Sequence, residues 1–184
     1  MAEKLQYGSE RTTVSDLGRE MLAQGLTKGT GGNVSQLCDD GETVAINPSG
    51  VPYEDVTPER VPLVTIDGEQ VAGDLDASSE TPMHTMVLRN RDDIGGVVHT
   101  HSPYATTLAT LREELPPIHY VIVAVGKRVP VAEYAPYGTE ALARNAFDAM
   151  RDEQSTAAII ENHGLVVTDP DLPTALENTH HVES

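Results

Sequence analysis

Three histidines occur where a metal ion could be held. His99 and His101 form a His-x-His pair directly after the apolar residues Val97-Val98. Residues two apart on a strand point to the same face, so both imidazoles could reach one ion. His163 lies in Glu-Asn-His-Gly between two apolar runs and could be a third ligand. Three protein ligands with one open position are typical of catalytic zinc, although a His-x-His pair alone is also compatible with core or exposed histidines.

A carboxylate precedes these histidines in the segment Ser-Ser-Glu-Thr-Pro-Met-His, residues 78–84. Ser and Glu suit the start of a helix, where their side chains cap free backbone N–H groups. Glu80 could instead lie beside the metal and act as a general acid or base. His84 follows one helical turn later and is either a structural histidine or a hydrogen-bond partner of the metal site.

Three segments are rich in glycine, in small hydroxyl residues or in both: residues 29–35, Ser49-Gly50 and Ser78-Ser79. Such segments let backbone and hydroxyl donors approach an anion, and a helix beginning after Ser79 would add its dipole. The first segment lacks the lysine and the spacing of a nucleotide P-loop, and by itself it also fits a tight turn. Together the three segments could bind a phosphate with neutral donors.

The charge balance is strongly acidic. The 184 residues include 29 Asp and Glu against 12 Lys and Arg, only three of them lysines, and the formal net charge is −17. Such a surface repels nucleic acid and anionic lipid, so we expect neither a nucleic-acid nor a membrane partner. High salt would screen these charges, and the composition predicts a halophilic protein from a salty cytoplasm.

Length and composition predict one domain over residues 1–184. Apolar residues make up 39% of the chain, and the longest apolar run, Val121–Val125, is too short to cross a bilayer. The N-terminal residues Met1–Leu5 lack the basic flank and apolar stretch of a signal peptide. Cys38 is the only cysteine, which fits a reducing compartment. We therefore expect a cytoplasmic protein.

The elements that position these residues follow from hydrophobic periodicity and turn residues. Mixed helices and strands in this order predict a layered α/β/α domain. The first helix has Thr13 as a possible cap, and the last helix runs into the end of the chain, so we expect it to be incomplete. We predict helices at residues 13–28, 81–90, 103–111, 139–150 and 172–183, and strands at residues 43–46, 61–66, 70–72, 96–100, 121–125, 157–160 and 165–168.

Five motifs occur in one order over nearly the whole chain: Gly-Gly-Asn-Val-Ser, Asn-Pro-Ser-Gly, Ser-Ser-Glu-Thr-Pro-Met-His, Val-Val-His-Thr-His-Ser-Pro-Tyr-Ala and Glu-Asn-His-Gly-Leu. In this combination they resemble the class II aldolase/adducin family, and most closely its L-fuculose-1-phosphate aldolases. The resemblance implies a three-layer α/β/α domain around a mixed, largely antiparallel sheet. It also implies a lyase that reversibly cleaves a ketose 1-phosphate to dihydroxyacetone phosphate and an aldehyde.

The resemblance also assigns roles to residues at matching positions. It implies that His99, His101 and His163 bind Zn²⁺ or another divalent ion. Glu80 matches the catalytic acid/base, which can also touch the metal. The phosphate of the substrate is implied to bind at segments that contain Thr30, Asn33, Ser49, Gly50, Ser78 and Ser79.

Two tyrosines complete the implied site. Tyr120 matches an acid that acts from a neighbouring subunit, which implies a homotetramer with active sites at subunit interfaces. Tyr137 matches a possible substrate contact where the aldolases carry phenylalanine.

Other proteins of this scaffold remain alternatives. The resemblance implies Asp in pentulose-phosphate 4-epimerases where this chain has Glu80, which favours an aldolase or a methylthioribulose-phosphate dehydratase. A non-enzymic interaction domain, as in adducin, predicts lost metal ligands, whereas the three histidines and Glu80 are present here. The sugar stays open between L-fuculose 1-phosphate, ribulose 1-phosphate and a 5-deoxypentulose 1-phosphate.

Overall fold

The computed structural model describes residues 5–184, so most of the N-terminal segment considered for a signal peptide lies outside the described residues. Eight strands form one sheet in the order β4-β3-β2-β1-β5-β8-β7-β6. Neighbouring strands are antiparallel except β6 and β7, which confirms the expected mixed, largely antiparallel sheet. The strands are β1 (Asn33–Leu37), β2 (Thr43–Ile46), β3 (Leu63–Thr65), β4 (Gln70–Ala72), β5 (Gly96–Thr100), β6 (Val131–Ala132), β7 (Ala157–Ile160) and β8 (Gly164–Asp169).

Helices cover both faces of this sheet. They are α1 (Gly8–Ala23), α2 (Thr81–Asn90), α3 (Pro103–Leu111), α4 (Glu140–Glu153) and α5 (Leu172–Glu183). Val97 packs in the core beneath α2 and α4, whereas Val98 packs in the core beneath α1 and α5, because successive strand residues face opposite ways. The predicted three layers are therefore confirmed. Within residues 5–184, no helix has both the length and the apolar character needed to cross a bilayer.

Strand register brings four chain segments to one end of the sheet. Asn33 at the start of β1 pairs with His99 near the end of β5. Ser35 pairs with Ile46 at the end of β2, and Thr100 pairs with Leu165 at the start of β8. The loop before β1, the loop after β2, the end of β5 and the β7–β8 turn therefore lie side by side. The chain's candidate chemistry is concentrated in these segments.

The strand predicted at residues 121–125 is wrong. Tyr120–Ala124 form a short 3₁₀ helix, and the Val125 N–H donates to the Ile122 carbonyl. Ile122 is buried, whereas Val123 is 81% exposed. A five-residue apolar run does not by itself distinguish a strand from a helical turn, because periodicity needs a longer window.

The first helix begins and ends earlier than residues 13–28. Thr13 lies inside α1, where its hydroxyl donates to the Ser9 carbonyl, so it is not the cap. Gly25 adopts φ 76°, a left-handed conformation that glycine accommodates without strain, just after the helix ends. The predicted elements include no strand at residues 33–37, because the polar residues of β1 continue the glycine-rich segment 29–35 without a break. Pairing with β2 and β5 decides its conformation instead.

Candidate metal centre

Four potential ligands meet at the end of β5. One donor atom from each of Glu80, His99, His101 and His163 lies within 4.8 Å of the other three. The Nε2 atoms of His99 and His101 are 3.1 Å apart. Glu80 Oε2 lies 3.1 Å from His99 Nε2, and Glu80 Oε1 lies 3.4 Å from His163 Nε2. The structure thus brings together the residues that the sequence singled out as ligands.

The backbone around this cluster requires glycine at two positions. A Cβ on Gly164 would lie 2.2 Å from the Thr100 carbonyl oxygen and 3.1 Å from His101 Cδ2. A Cβ on Gly32, which has φ 67°, would lie 2.6 Å from the His99 carbonyl oxygen. Distances under 3 Å cannot be accommodated without moving the backbone. These glycines therefore let β8 and the loop before β1 close on the histidines.

The hydrogen-bond pattern fits a divalent cation. His99 Nδ1 lies 2.9 Å from the Leu165 carbonyl, which can only accept, so this nitrogen carries the hydrogen and Nε2 presents a lone pair. Glu80 Oε1 is buried and has no hydrogen-bond partner among the described residues. Three imidazoles and one carboxylate suit Zn²⁺ and similar divalent ions. A cation here would compensate both the facing lone pairs and the negative charge of the buried carboxylate.

Burial and neighbouring charges decide the protonation of the cluster. Burial raises the pKa of Glu80, but attraction to His99 and His163 when these rings are protonated, together with the hydrogen bond from Asn33, outweighs this effect and holds the pKa below its ordinary value. Partial burial of the ring atoms, assisted by His99, lowers the pKa of His101 and that of His163 to about 4. These histidines are therefore neutral at neutral pH, which is the form that binds a metal.

A cleft of about 450 Å³ opens beside the cluster. Glu80, His101 and His163 form part of its wall. No Lys or Arg lines it among the described residues, and the N-terminus of α2 adjoins it. All six residues predicted to bind phosphate also line it, namely Thr30, Asn33, Ser49, Gly50, Ser78 and Ser79.

Asn33 differs from the other five residues predicted to bind phosphate. Its side chain is buried, and Nδ2 donates to Glu80 Oε2 at 2.9 Å. Its Oδ1 lies 2.5 Å from Nε2 of the fully buried His84. Both polar atoms of this side chain are therefore bound within the protein.

The tyrosines occupy different places. Tyr137 lines the cleft, whereas Tyr120 is 82% exposed and does not line it. Tyr134 and Asn162 also line the cleft, and sequence reasoning did not identify either residue. Both had an available signal, since Tyr134 lies three residues before Tyr137 and Asn162 directly precedes His163.

The buried His84 predicts a pH-dependent stability. Burial lowers the pKa of His84 to about 3, whereas the unfolded chain titrates near the ordinary value of 6.5. Between these values the unfolded state binds the extra proton, so the free energy of unfolding falls as the pH falls, by up to about 1.4 kcal/mol per pH unit.

Urea unfolding of the protein, after a chelator has removed any bound metal, would measure how the free energy of unfolding depends on pH. His84→Gln replaces the titrating imidazole with an amide. The free energy of unfolding of this variant should therefore fall less steeply with falling pH than that of the wild type between about pH 6.5 and pH 4. His101 and His163 titrate in both proteins and cancel in the comparison. Parallel curves would contradict the assignment of a neutral His84.

Comparisons with known proteins agree with this site. The family model described as "Class II Aldolase and Adducin N-terminal domain" matches residues 12–184. A 5-deoxy-D-ribulose 1-phosphate aldolase of Bacillus thuringiensis serovar kurstaki is 41% identical over 174 residues, covering 95% of this chain and 81% of the relative. An L-fuculose phosphate aldolase of Escherichia coli K12 is 36% identical over 165 residues, covering 89% of this chain and 74% of the relative.

A solved structure has the same fold. An L-fuculose 1-phosphate aldolase superposes with a TM-score of 0.91 at 38% identity, covering 100% of this chain and 84% of the other. The match of sequence and fold extends over the strands and loops that build the histidine cluster. The chain belongs to the class II aldolase and adducin family and is an enzyme of the class II aldolase type.

Proposed function

We propose that this class II aldolase reversibly cleaves a ketose 1-phosphate to dihydroxyacetone phosphate and an aldehyde. The observation that carries the proposal is the position of the His99, His101, His163 and Glu80 cluster in the wall of a cleft whose other side is rich in Ser and Gly. A cation beside neutral anion-binding donors suits a substrate that is both a metal chelator and a phosphate ester. Relatives named for 5-deoxyribulose 1-phosphate and for fuculose phosphate support the same substrate class.

The phosphate would bind at Thr30, Ser49, Gly50, Ser78 and Ser79. The backbone N–H groups of Gly50 and Ser79 donate to no acceptor among the described residues, so both are available to an anion. The N-terminus of α2 directs its partial positive charge to the same side of the cleft. These donors, together with the cation, would let a protein of net charge −17 bind a dianion without lysine or arginine.

The reaction places specific demands on the side chains. A divalent cation held by His99, His101 and His163 would act as a Lewis acid that stabilises the negative charge of the enediolate of dihydroxyacetone phosphate. Glu80 would transfer the proton at C3. Tyr137 and Tyr134 line the cleft where they could contact the sugar. Zn²⁺ is the ion we propose, because it is redox-inert and suits three histidines.

Tyr120 would complete the site from a second copy of the chain. Within one chain this side chain lies outside the cleft, and Ile118 and Val123 beside it are 75% and 81% exposed. Exposed apolar side chains in one short stretch are typical of a subunit interface. We therefore retain the homotetramer with shared active sites, in which Tyr120 protonates the aldehyde oxygen.

A substrate panel tests the proposed function. The zinc-loaded protein is incubated with L-fuculose 1-phosphate, 5-deoxyribulose 1-phosphate and ribulose 1-phosphate, and released dihydroxyacetone phosphate is assayed. We expect release from at least one ketose. Release from none of them, with dehydration or epimerisation seen instead, would overturn the aldolase assignment in favour of another enzyme of the scaffold.

The same assay addresses the surroundings in which the protein works. We propose that residues 1–184 form one domain, which the single eight-stranded sheet of residues 5–184 and the family match over residues 12–184 support. We also propose that the protein acts in a salty cytoplasm, because acidic residues outnumber basic ones by more than two to one. Repeating the panel over a range of KCl concentrations should give an optimum at high salt. An optimum at low salt would remove the halophilic part of the proposal.

A further inference from the structure

A buried hydrogen-bond chain connects Glu80 to the interior of the sheet. Ser35 Oγ lies 2.7 Å from His84 Nδ1, and His84 Nε2 lies 2.5 Å from Asn33 Oδ1. Asn33 Nδ2 then donates to Glu80 Oε2 at 2.9 Å. Ser35 and His84 are 0% exposed and Asn33 is 4% exposed, so water does not compete with these bonds.

The direction of each bond follows from chemistry. An ionised carboxylate only accepts, so the Asn33 amide nitrogen must face Glu80 and its oxygen must face His84. An amide oxygen also only accepts, so His84 carries its hydrogen on Nε2. A neutral imidazole has one N–H, and therefore His84 Nδ1 accepts from the Ser35 hydroxyl. All three hydrogen bonds thus point toward Glu80 and polarise one another in the same sense.

This hydrogen-bond chain makes the surroundings of the two oxygens of Glu80 different. Oε2 accepts from Asn33 and lies 3.1 Å from His99 Nε2. Oε1 is buried and has no hydrogen-bond partner among residues 5–184. Asn33 therefore fixes the carboxylate by Oε2, whereas Oε1, which lies 3.4 Å from His163 Nε2, accepts no hydrogen bond among these residues and can accept a proton from the substrate.

We propose that Ser35 and His84 are positioning residues, which act through Asn33 to orient Glu80 so that its Oε1 exchanges the proton with the substrate. This rests on the proposed function, in which Glu80 is the acid/base. When Oε1 removes the C3 proton of dihydroxyacetone phosphate, the C–H electron pair moves toward the carbonyl and the substrate becomes the enediolate. In cleavage the reverse step occurs, and protonated Glu80 delivers its proton from Oε1 to that carbon of the enediolate. Neither Ser35 nor His84 lines the cleft, so each acts on the substrate only through the hydrogen bonds that lead to Glu80.

A purely structural role makes a different prediction. Ser35 lies on β1 and His84 on α2, so their bond also joins a helix to the sheet. If that were its whole effect, breaking it would lower the melting temperature and leave turnover by the folded protein unchanged. Thr85→Val is the matched control, because Thr85 is 3% exposed on the same helix and its hydroxyl donates only within the helix, to the carbonyls of Thr81 and Pro82.

Kinetics in excess Zn²⁺ distinguish the two roles. For the best ketose of the panel, His84→Leu should lower kcat about 10–100-fold, the range for removing the partner of a metal-site ligand. Ser35→Ala, which leaves a small buried side chain, should lower kcat about 3–10-fold, as expected for one neutral hydrogen bond. His84→Gln should recover part of the loss, because its amide can donate to Asn33 and accept from Ser35. KM should stay within about twofold throughout, and Thr85→Val should change neither constant.

Two further measurements separate the proton step from the rest of the reaction. Exchange of the C3 hydrogen of dihydroxyacetone phosphate in deuterated water should slow in Ser35→Ala and His84→Leu in parallel with kcat. In the metal-free wild-type protein, ¹⁵N NMR of the His84 ring should show the hydrogen on Nε2. This readout requires neither metal nor turnover.

The outcomes are distinguishable. Normal kcat and normal exchange in folded Ser35→Ala, together with an unchanged His84→Leu if that variant folds, would overturn the positioning role. A His84 ring with its hydrogen on Nδ1 would overturn the direction of the chain and the proposal with it. A wild-type protein that neither cleaves a ketose 1-phosphate nor catalyses exchange would instead overturn the proposed function, and the catalytic part of this inference would fail for that reason.

Discussion

Glu80→Gln should abolish most turnover while the protein keeps its metal. A glutamine side chain has nearly the same shape and can still accept from Asn33, but it cannot carry a proton between enzyme and substrate. We expect kcat to fall about 10²–10⁴-fold, the usual contribution of a positioned acid or base. Metal content, measured by mass spectrometry of the digested protein, should stay near that of the wild type because His99, His101 and His163 remain.

Glu161→Gln is the matched control for this variant. Glu161 lies two residues before His163, but its side chain pairs with Arg112 and accepts from the Tyr134 N–H and from Asn162 Nδ2, not from a proposed ligand. The same substitution there removes a nearby charge without altering the cluster, so turnover should stay within about twofold of the wild type. Comparable turnover in wild type and Glu80→Gln would remove Glu80 from the mechanism.

His101→Ala should abolish metal binding and, with it, activity. His101 is the most exposed of the four proposed ligands, so its loss leaves a small surface gap and should not unfold the domain. We expect bound metal to fall from about one ion per chain to a small fraction of that, because the remaining ligands no longer enclose the ion. Chelation of the wild-type protein should produce the same inactive state, and added Zn²⁺ should reverse it.

Stability supplies a second readout of the lost metal. An ion at about 100 times its dissociation constant adds about 2.7 kcal/mol to the free energy of unfolding. Wild-type protein should therefore melt at a higher temperature with Zn²⁺ than with chelator, and His101→Ala should melt at the same temperature in both. His180→Ala is the control, because His180 lies on α5, outside the cluster, and should leave metal content unchanged. Full metal retention in His101→Ala would break the ligand assignment.

The local elements were largely predictable because each has its own signal. Helix α2 begins at Thr81 with Pro82 in its first turn, and strand β5 is an apolar run that ends at Thr100, both as predicted. The signal failed where the sequence is ambiguous. Residues 121–125 are apolar enough for a strand, yet they form a 3₁₀ turn with Val123 in solvent. Strand β1 is polar and acquires its conformation from its neighbours.

The sequence by itself determined which side chains could do the chemistry. Residue types and their spacing can be read directly from the sequence. They show two histidines at strand spacing, a third histidine before a glycine and a glutamate before a helix. The order of five short motifs sufficed to indicate the family, and the comparisons confirm it.

Only the tertiary structure decided how those side chains meet. The proximity of Glu80 to His163 depends on the register of β1, β5 and β8 and on where α2 begins, and such long-range pairing has no local signature. The same packing places Tyr120 outside the cleft and Tyr134 in its wall. It also buries His84 against Asn33 and Ser35, so that among residues 5–184 only one oxygen of Glu80 accepts a hydrogen bond. The ionised carboxylate sets the direction of these hydrogen bonds, and burial keeps water from replacing them.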